Sequence, residues 1–188
     1  MLSILLSDDE DRTVEREYRR GMPLKAVAFD WGHTLMDERR DEEIPLDTRP
    51  VHVMPGVADV LPQLTLPLAV WANTRVVGEA AVRNWLDRAA LGPFQWVITS
   101  VDAGVRKPAS EFFQYALRRC GLTKDDVLFV GNQLNTDIAG GEAFGIRTVW
   151  LCGPAYRSLD DAPCSTSPTY TIETLYSLPA LVQKLQYS

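Results

Sequence analysis

The sequence predicts an α/β fold in which a parallel β-sheet lies between two layers of helices. Short apolar runs of strand length alternate with amphipathic stretches of helical length from about Leu24 onward. This alternation is typical of βαβ units with right-handed crossovers. The apolar runs are nearly continuous, as expected of strands that are buried on both faces. Glycine or proline follows several of the helical stretches and indicates where each helix ends.

The elements can be placed one by one along the chain. Apolar residues recur at helical spacing between Val57 and Leu64, but Pro62 should end that helix early. Residues 153–168 are rich in Pro, Ser and Asp and are predicted to form a loop. The predicted strands are Lys25–Phe29, Leu66–Ala72, Trp96–Thr99, Val127–Val130, Arg147–Leu151 and an edge strand, Tyr170–Ile172. The other predicted helices are Ala80–Leu91, a helix that Ser110 caps and that runs to Cys120, Asp137–Phe144 and Leu178–Leu185.

Length and composition indicate one domain. A chain of 188 residues can bury an ordinary core, and 46% hydrophobic with 23% charged residues is usual for a soluble globular protein. Residues 1–21 are predicted to be a charged N-terminal arm, and residues 22–188 a single domain. No apolar run is long enough to span a membrane, so we expect no membrane partner.

The charge and the cysteine content indicate which binding partners and which cellular compartment to expect. The formal net charge of -6 argues against nucleic acid as a partner, because nucleic-acid binding needs a basic surface. An anionic substrate stays compatible with this charge, since a bound cation reverses the sign locally. Cys120, Cys152 and Cys164 form no CxxC pair and no metal-ligand spacing. They are predicted to be free thiols in a reducing cytoplasm.

Polar groups follow four of the predicted strands at the same end of the sheet. In open α/β sheets the ligand site lies at the carboxyl ends of the strands. One polar segment explains little by itself, but four at the same edge predict an active site there. The segments are Asp30–Leu35 after the first strand, Asn73 and Thr74 after the second, Gly104–Pro108 beyond the third, and Gly131–Asp137 at the fourth.

These residue types suit phosphoryl transfer. A carboxylate at a strand end can attack phosphorus and form an aspartyl-phosphate, which divides one difficult step into two easier ones. Carboxylate, amide and backbone oxygens are ligands for Mg²⁺, which offsets the repulsion between two anions. A nearby lysine adds a compact positive charge, and hydroxyl, amide and backbone N–H groups can bind the remaining phosphoryl oxygens.

In order and spacing, the four segments resemble the four motifs of haloacid dehalogenase-like (HAD) hydrolases, and the resemblance extends from Leu24 to about Leu185. It implies a three-layer, Rossmann-like α/β fold and a Mg²⁺ cofactor. It also implies that Asp30 is the nucleophile and a metal ligand, and that Lys107 is the lysine of the third motif. The further metal ligands that it implies are the backbone carbonyl of Gly32, Asn132 and Asp137.

The sequence departs from the family pattern at the site itself. Phosphatases of this family usually have an acid/base aspartate two residues after the nucleophile, where this chain has Gly32. Loss of a positioned acid/base group lowers rates by ~10²–10⁴-fold. The serine or threonine of the second motif is replaced by Ala72, so Asn73 and Thr74 are the candidates for binding the phosphate.

Two other positions differ from the family pattern. The first acid of the fourth motif is Asn132, which can ligate a metal but brings no charge, so we expect weaker Mg²⁺ binding. His33 stands where glycine is usual, and it is either a substitute proton carrier that contacts the substrate or an ordinary loop residue.

The spacing of the motifs leaves no room for a separate cap domain. Residues 37–56 allow only a loop or a hairpin flap, and the acidic stretch Asp37–Asp47 is predicted to be solvated. An uncapped site is open and suits a bulky or macromolecular phosphorylated substrate. Closure by a second subunit of an oligomer is also compatible with it.

Three functions agree with these residues. The first is Mg²⁺-dependent hydrolysis of phosphomonoesters through an aspartyl-phosphate on Asp30. The second is a degenerate HAD fold with weak or no turnover that binds a phospho-ligand or a protein partner. The third, a response-regulator-like receiver, fits less well, because such domains lack the Gly131–Asp137 pattern.

Overall fold

A computed structural model describes residues 23–41, 43–45, 47–157 and 165–187 of the chain. The predicted N-terminal arm, residues 1–21, and Cys164 lie outside the described residues. Cys120 and Cys152 are free thiols, as predicted.

The centre of the fold is one parallel sheet of six strands, in the order β3-β2-β1-β4-β5-β6. All six predicted strands are present. β2 begins two residues later than predicted, after Pro67, whose carbonyl accepts a hydrogen bond from the N–H of Val27 (3.0 Å). The strands are β1 (Ala26–Phe29), β2 (Leu68–Ala72), β3 (Phe94–Thr99), β4 (Val127–Gly131), β5 (Arg147–Leu151) and β6 (Tyr170–Ile172).

Six α-helices are found among the described residues. They are α1 (Val57–Val60), α2 (Glu79–Arg88), α3 (Ser100–Ala103), α4 (Ser110–Cys120), α5 (Ala139–Phe144) and α6 (Leu178–Gln186). As expected from Pro62, α1 is one turn long and continues as a 3₁₀ turn, Leu61–Gln63. The predicted N-cap at Ser110 was wrong. Ala109 holds the cap position, and the Ser110 hydroxyl donates to Glu111 (3.0 Å).

Helices cover both faces of the sheet, which confirms the predicted three layers. Because neighbouring residues of a strand point to opposite faces, Val27 and Phe29 of β1 pack on one side and Ala28 on the other. The first side is covered by apolar residues of α1, α2 and α6. The second side is covered mainly by α4, whose aromatic pair Phe112 and Phe113 is fully buried.

The strand order fixes where a site can form. From β1 the chain moves outward through β2 to β3, and β4 then returns to the other side of β1. This reversal makes the carboxyl ends of β1 and β4 the switch point, where open α/β sheets bind ligands.

The segment between β1 and α1 is a loop, as predicted from its length. Its described residues hold isolated bridges, from Gly32 to Met36 and from Met36 to Val53, and neither a helix nor a strand. None of the helices in the described part of the chain is long and apolar enough to cross a membrane.

Candidate active site

Three ionisable side chains meet at the carboxyl edge of the sheet. The ammonium of Lys107 donates to Oδ1 of Asp30 at 2.6 Å and to Oδ1 of Asp137 at 2.7 Å. Asp30 directly follows β1, and its N–H donates to the carbonyl of Val130 in β4 (2.8 Å). The structure thus brings together three residues that lie far apart in the sequence.

Because the three side chains are buried, the pKa of each depends strongly on the charges of the others. The exposed fractions are 7% for Asp30 and 1% each for Lys107 and Asp137. Burial lowers the pKa of Lys107, but the charges of Asp137 and Asp30 outweigh burial, so the pKa is raised and the side chain is charged at neutral pH. Burial, together with the charge of Asp30, raises the pKa of Asp137 to about 6.

The amide of Asn132 has a fixed orientation. Its Nδ2 donates to the carbonyl of Tyr156 at 2.7 Å, so its Oδ1 faces the opposite way. The hydroxyl of Thr34 lies 3.2 Å from this Oδ1 and 3.4 Å from Oδ2 of Asp30. Thr34 therefore joins the first and fourth motifs, and the carbonyl oxygen of Asn132 is presented toward Asp30.

Gly131 allows Asp137 to approach the end of β4. A Cβ at position 131 would lie 2.5 Å from Oδ2 of Asp137 and 2.6 Å from its Cβ, closer than side chains pack. The same Oδ2 accepts the N–H of Gln133 at 3.1 Å. Asp137 lies in a π-helical turn, Leu134–Ile138, where an α-helix starting at Asp137 was predicted. The π-helical turn after β4 thus directs Asp137 toward Lys107.

Asn73 is bound to the backbone of Lys107. Its Nδ2 donates to the Lys107 carbonyl and its Oδ1 accepts the Lys107 N–H, each at 2.9 Å. Both ends of the amide are therefore occupied by the protein. Binding of substrate by Asn73 stays a prediction, and the geometry adds a role in positioning Lys107.

Thr74 is held in the loop after β2. Its hydroxyl donates to the carbonyl of Val77 (2.7 Å), and its N–H and carbonyl both bond to the hydroxyl of Ser100 (3.0 and 2.9 Å). Ser100 lies at the end of β3, so the two strand ends are tied together. Contact of Thr74 with substrate also stays a prediction.

Gly32 and His33 form a tight turn after Asp30. His33 is half-buried and has a φ of 56°, a left-handed conformation that few residues other than glycine adopt. Its N–H donates to the carbonyl of Met36 at 2.8 Å. The proton-carrying role of His33 and the metal contact of the Gly32 carbonyl stay predictions.

The donor set fits a hard cation such as Mg²⁺. Asp30, Asn132, Asp137 and the backbone of Gly32 offer only oxygen, which Mg²⁺ prefers. Two buried carboxylates share one ammonium, so a cation would relieve the excess negative charge that raises the pKa of Asp137. In the described part of the chain no three His, Cys, Asp or Glu side chains form a metal-binding group. A metal here would use two carboxylates together with neutral oxygens.

Two residues at the site had no role in the sequence-based prediction. Thr34 belongs to the Asp30–Leu35 motif, and its position four residues after the nucleophile was an available signal. Tyr156 contributes its backbone carbonyl, and no side-chain pattern could have indicated that.

Comparison with known proteins finds similarity to a hydrolase family and to two phosphate-releasing enzymes. A family model described as HAD-hydrolase-like matches residues 104–178, which include Lys107, Asn132 and Asp137. The glyceraldehyde 3-phosphate phosphatase of Methanocaldococcus jannaschii is 34% identical over 108 residues, or 56% of this chain and 46% of that protein. The Escherichia coli pyrimidine 5'-nucleotidase YjjG is 35% identical over 92 residues, or 48% of this chain and 39% of that protein.

A solved structure shows the same fold. YfnB of Bacillus subtilis, described as a HAD-hydrolase bound to magnesium, superimposes with a TM-score of 0.68 at 18% identity. The match covers 85% of this chain and 99% of that one. The chain spans less than half the length of the two curated relatives, 46% and 39%.

Proposed function

Because the chain belongs to the haloacid dehalogenase-like superfamily, we propose that it is a Mg²⁺-dependent phosphomonoester hydrolase with Asp30 as its nucleophile. The observation that carries the proposal is the position of Lys107, whose ammonium lies between the carboxylates of Asp30 and Asp137. Burying an unpaired charge is unfavourable, and the 1% exposed Lys107 is paired with two carboxylates at the edge of the sheet where open α/β folds bind ligands.

The reaction requires two transfers of the phosphoryl group. In the first, a carboxylate oxygen of Asp30 bonds to phosphorus while the bond to the ester oxygen breaks. In the second, water attacks the phosphorus of the aspartyl-phosphate, which releases phosphate and restores the carboxylate. The leaving oxygen gains a proton in the first step, and the attacking water loses one in the second.

The ammonium of Lys107 offsets part of the negative charge that a phosphate dianion meets on approaching Asp30. Lys107 is an ammonium at neutral pH, and it places positive charge beside the nucleophile in a region from which water is largely excluded. Asn73 holds the backbone of Lys107 on both sides and thereby orients the ammonium.

Magnesium would be held by Asp30, the carbonyl of Gly32, Asn132 and Asp137. When bound, it would supply positive charge that offsets the negative charges of the nucleophile and of the phosphoryl oxygens. Support comes from the oxygen-only donor set, from the fixed amide of Asn132, and from the magnesium-bound structural relative.

The substrate class is a phosphomonoester, and its identity depends on loops. Two relatives with matching segments act on different molecules, a triose phosphate and a pyrimidine nucleotide, as their names state. The described residues between β1 and α1 form a loop without helix or strand. A loop in place of a folded cap is compatible with a bulky or macromolecular phosphoester.

The test is phosphate release by the full chain from a panel of aryl, sugar and nucleotide phosphates, with Mg²⁺ and with EDTA. We expect Mg²⁺-dependent release that Asp30→Asn reduces to background while the circular dichroism spectrum is retained. Asp87→Asn, an exposed carboxylate of α2, removes the same charge and should keep full activity.

Full activity in Asp30→Asn would disprove the assignment of the nucleophile. Absence of release across the panel, with Mg²⁺ and inorganic phosphate still binding, would instead indicate a degenerate fold that binds a phospho-ligand.

A further inference from the structure

The reaction proposed above needs a group that gives and takes a proton, and the chain lacks the usual one. Position 32, two residues after the nucleophile, is glycine and carries no side chain. A second source of the proton must therefore lie within reach of the same space, or turnover of esters with poor leaving groups should be slow.

The carboxylate of Glu38 lies in the space that a side chain at position 32 would occupy. A Cβ built on Gly32 would meet Oε2 of Glu38 in a severe overlap, with Cδ at 2.6 Å and Oε1 at 3.1 Å. The loop residue thus supplies a carboxylate at the point where the family pattern has an aspartate. The absence of a side chain at Gly32 is what leaves room for it.

The fold of the loop brings Glu38 back to Gly32. The N–H groups of Leu35 and Met36 both donate to the carbonyl of Trp31, at 2.9 and 3.0 Å, and close a turn directly after Asp30. Met36 then pairs with Gly32 and, on its other side, with Val53. These contacts keep the segment after Met36 close to the turn, and Glu38 is half-buried there.

The neighbouring bonds hold this segment in place. The N–H of Asp37 donates to the carbonyl of His52 at 2.9 Å. Arg39 donates to both carboxylate oxygens of Asp37, at 2.7 and 3.0 Å, and to the carbonyl of Ala155 at 3.3 Å. Glu38 is therefore flanked by two residues that are fixed to the rest of the domain.

Two carboxylates and one lysine near Asp30 already have other roles. The carboxylate of Asp37 is bound by Arg39, a bond that lowers its pKa and suits it poorly to carry a proton. Lys107 donates to both Asp137 and the nucleophile Asp30. Glu38 is the carboxylate that the loop places beside Gly32 itself.

We propose that Glu38 is the general acid and base of this site and replaces the aspartate that position 32 lacks. This inference rests on the proposed phosphatase function. Protonated Glu38 gives its proton to the ester oxygen as the bond to phosphorus breaks, and the alcohol leaves. The Glu38 carboxylate then takes a proton from the water that attacks the aspartyl-phosphate, so that phosphate, the Asp30 carboxylate and protonated Glu38 are restored.

The test compares Glu38→Gln with wild type on two esters, 4-nitrophenyl phosphate and glycerol 3-phosphate, in Mg²⁺. A nitrophenolate leaves without a proton, whereas an alkoxide needs one. We expect kcat/KM for glycerol 3-phosphate to fall by ~10²–10⁴-fold and that for the aryl ester to fall much less. In rapid-quench experiments the aryl ester should show a burst in Glu38→Gln, because hydrolysis of the phosphoenzyme loses its base.

A matched control and a rescue separate catalysis from structure. Glu43→Gln removes an exposed carboxylate of the same loop and should leave both esters unaffected. Gly32→Asp in a Glu38→Ala background returns a carboxylate to the vacated space and should restore turnover of glycerol 3-phosphate. In Gly32→Asp alone the new side chain must displace Glu38. Turnover of glycerol 3-phosphate by this variant should therefore not exceed the wild-type rate.

The outcomes distinguish this inference from the function on which it rests. Equal losses for both esters in Glu38→Gln, or no loss, would overturn the role of Glu38 while Asp30→Asn still abolishes turnover. A wild type inactive on both esters but activated in Gly32→Asp/Glu38→Ala would also overturn it and keep Asp30 as the nucleophile. Inactivity of all variants would overturn the proposed function and this inference with it.

Discussion

The side-chain amide of Asn73 and the backbone of Lys107 form two reciprocal hydrogen bonds, each 2.9 Å long. One residue follows β2, and the other lies in the loop after α3, 34 positions further along the chain. The pair fixes the path of the loop from which the Lys107 side chain reaches Asp30 and Asp137. Asn73 is therefore placed to act on the reaction through Lys107.

Replacing Asn73 with alanine should lower kcat more than it raises KM. Loss of the two bonds lets Lys107 shift, and a displacement of about 1 Å in a catalytic group can lower the rate by ~10²-fold. Direct contact of Asn73 with the phosphate, as the sequence suggested, would chiefly raise KM. Steady-state kinetics of Asn73→Ala separate the two roles, with Asn84→Ala, an exposed residue of α2, as the unaffected control.

Replacing Lys107 with methionine should destabilise the metal-free protein. The carboxylates of Asp30 and Asp137 would stay buried without their shared ammonium, and breaking a buried ion pair in this way costs about 3–5 kcal/mol. Urea unfolding in EDTA measures this loss in the free energy of unfolding, and Mg²⁺ should recover part of it. Lys184→Met removes an exposed lysine, and an equal loss there would contradict the account.

Replacing Asn132 with aspartate should tighten Mg²⁺ binding and weaken the metal-free fold. The substitution adds a third carboxylate to the donor set. It also removes the N–H that the Tyr156 carbonyl accepts at 2.7 Å, and an unsatisfied buried acceptor costs about 1–3 kcal/mol. Thermal unfolding across a Mg²⁺ titration reports both effects. An unchanged midpoint of the titration would mean that Asn132 does not contact the metal.

Replacing Gly131 with alanine should impair Mg²⁺ binding through Asp137. The new Cβ would overlap the Asp137 carboxylate, so this metal ligand must move. Gly121→Ala is the matched comparison, because it strains a left-handed helix end with no atom within 4 Å of its Cβ. Both variants should be less stable, and only Gly131→Ala should lose Mg²⁺ affinity in calorimetry.

The contribution of Asp126 to stability should depend on pH. Burial raises the pKa of this carboxyl, but hydrogen bonds from Lys25 and Thr123 outweigh burial and hold it below its ordinary value of 3.8. Because the pKa is lowered by folding, the stabilisation is complete above pH ~4 and is lost as the pH falls through the lowered pKa. The difference in unfolding free energy between wild type and Asp126→Asn should be about 1 kcal/mol at pH 7 and near zero at acid pH. A difference that persists at low pH would show that packing, and not charge, is responsible.

Much of the fold could be predicted because its signals are local. Strands buried on both faces are continuous apolar runs, and β5 and β6 have the predicted bounds. The short helix α3 was not predicted, since four residues are too few to show a period. The turn after β4 was predicted to start an α-helix at Asp137, but Asp137 lies in a π-helical turn, Leu134–Ile138, and packs closely against Gly131.

The three ionisable residues at the centre of the site could be predicted from the sequence, whereas the contacts around them could not. Strand-end motifs brought Asp30, Lys107 and Asp137 to one edge, as the parallel topology required. The bonds that Asn73 makes to the Lys107 backbone depend on where one loop passes another, which no pattern of residue types records. The position of Glu38 beside Gly32 likewise depends on the path of a loop with no periodicity of its own.

The most direct test of the central claim is to trap the covalent intermediate. The full chain is mixed with 4-nitrophenyl phosphate and Mg²⁺, quenched within milliseconds and reduced with borohydride, which converts an aspartyl-phosphate to homoserine. Mass spectrometry of the tryptic peptide Ala26–Arg39 then locates the change. We predict conversion at Asp30, with none in EDTA or in Asp30→Asn. Conversion at Asp37 instead, or Mg²⁺-dependent turnover with no conversion anywhere in that peptide, would contradict the assignment of Asp30 as the nucleophile.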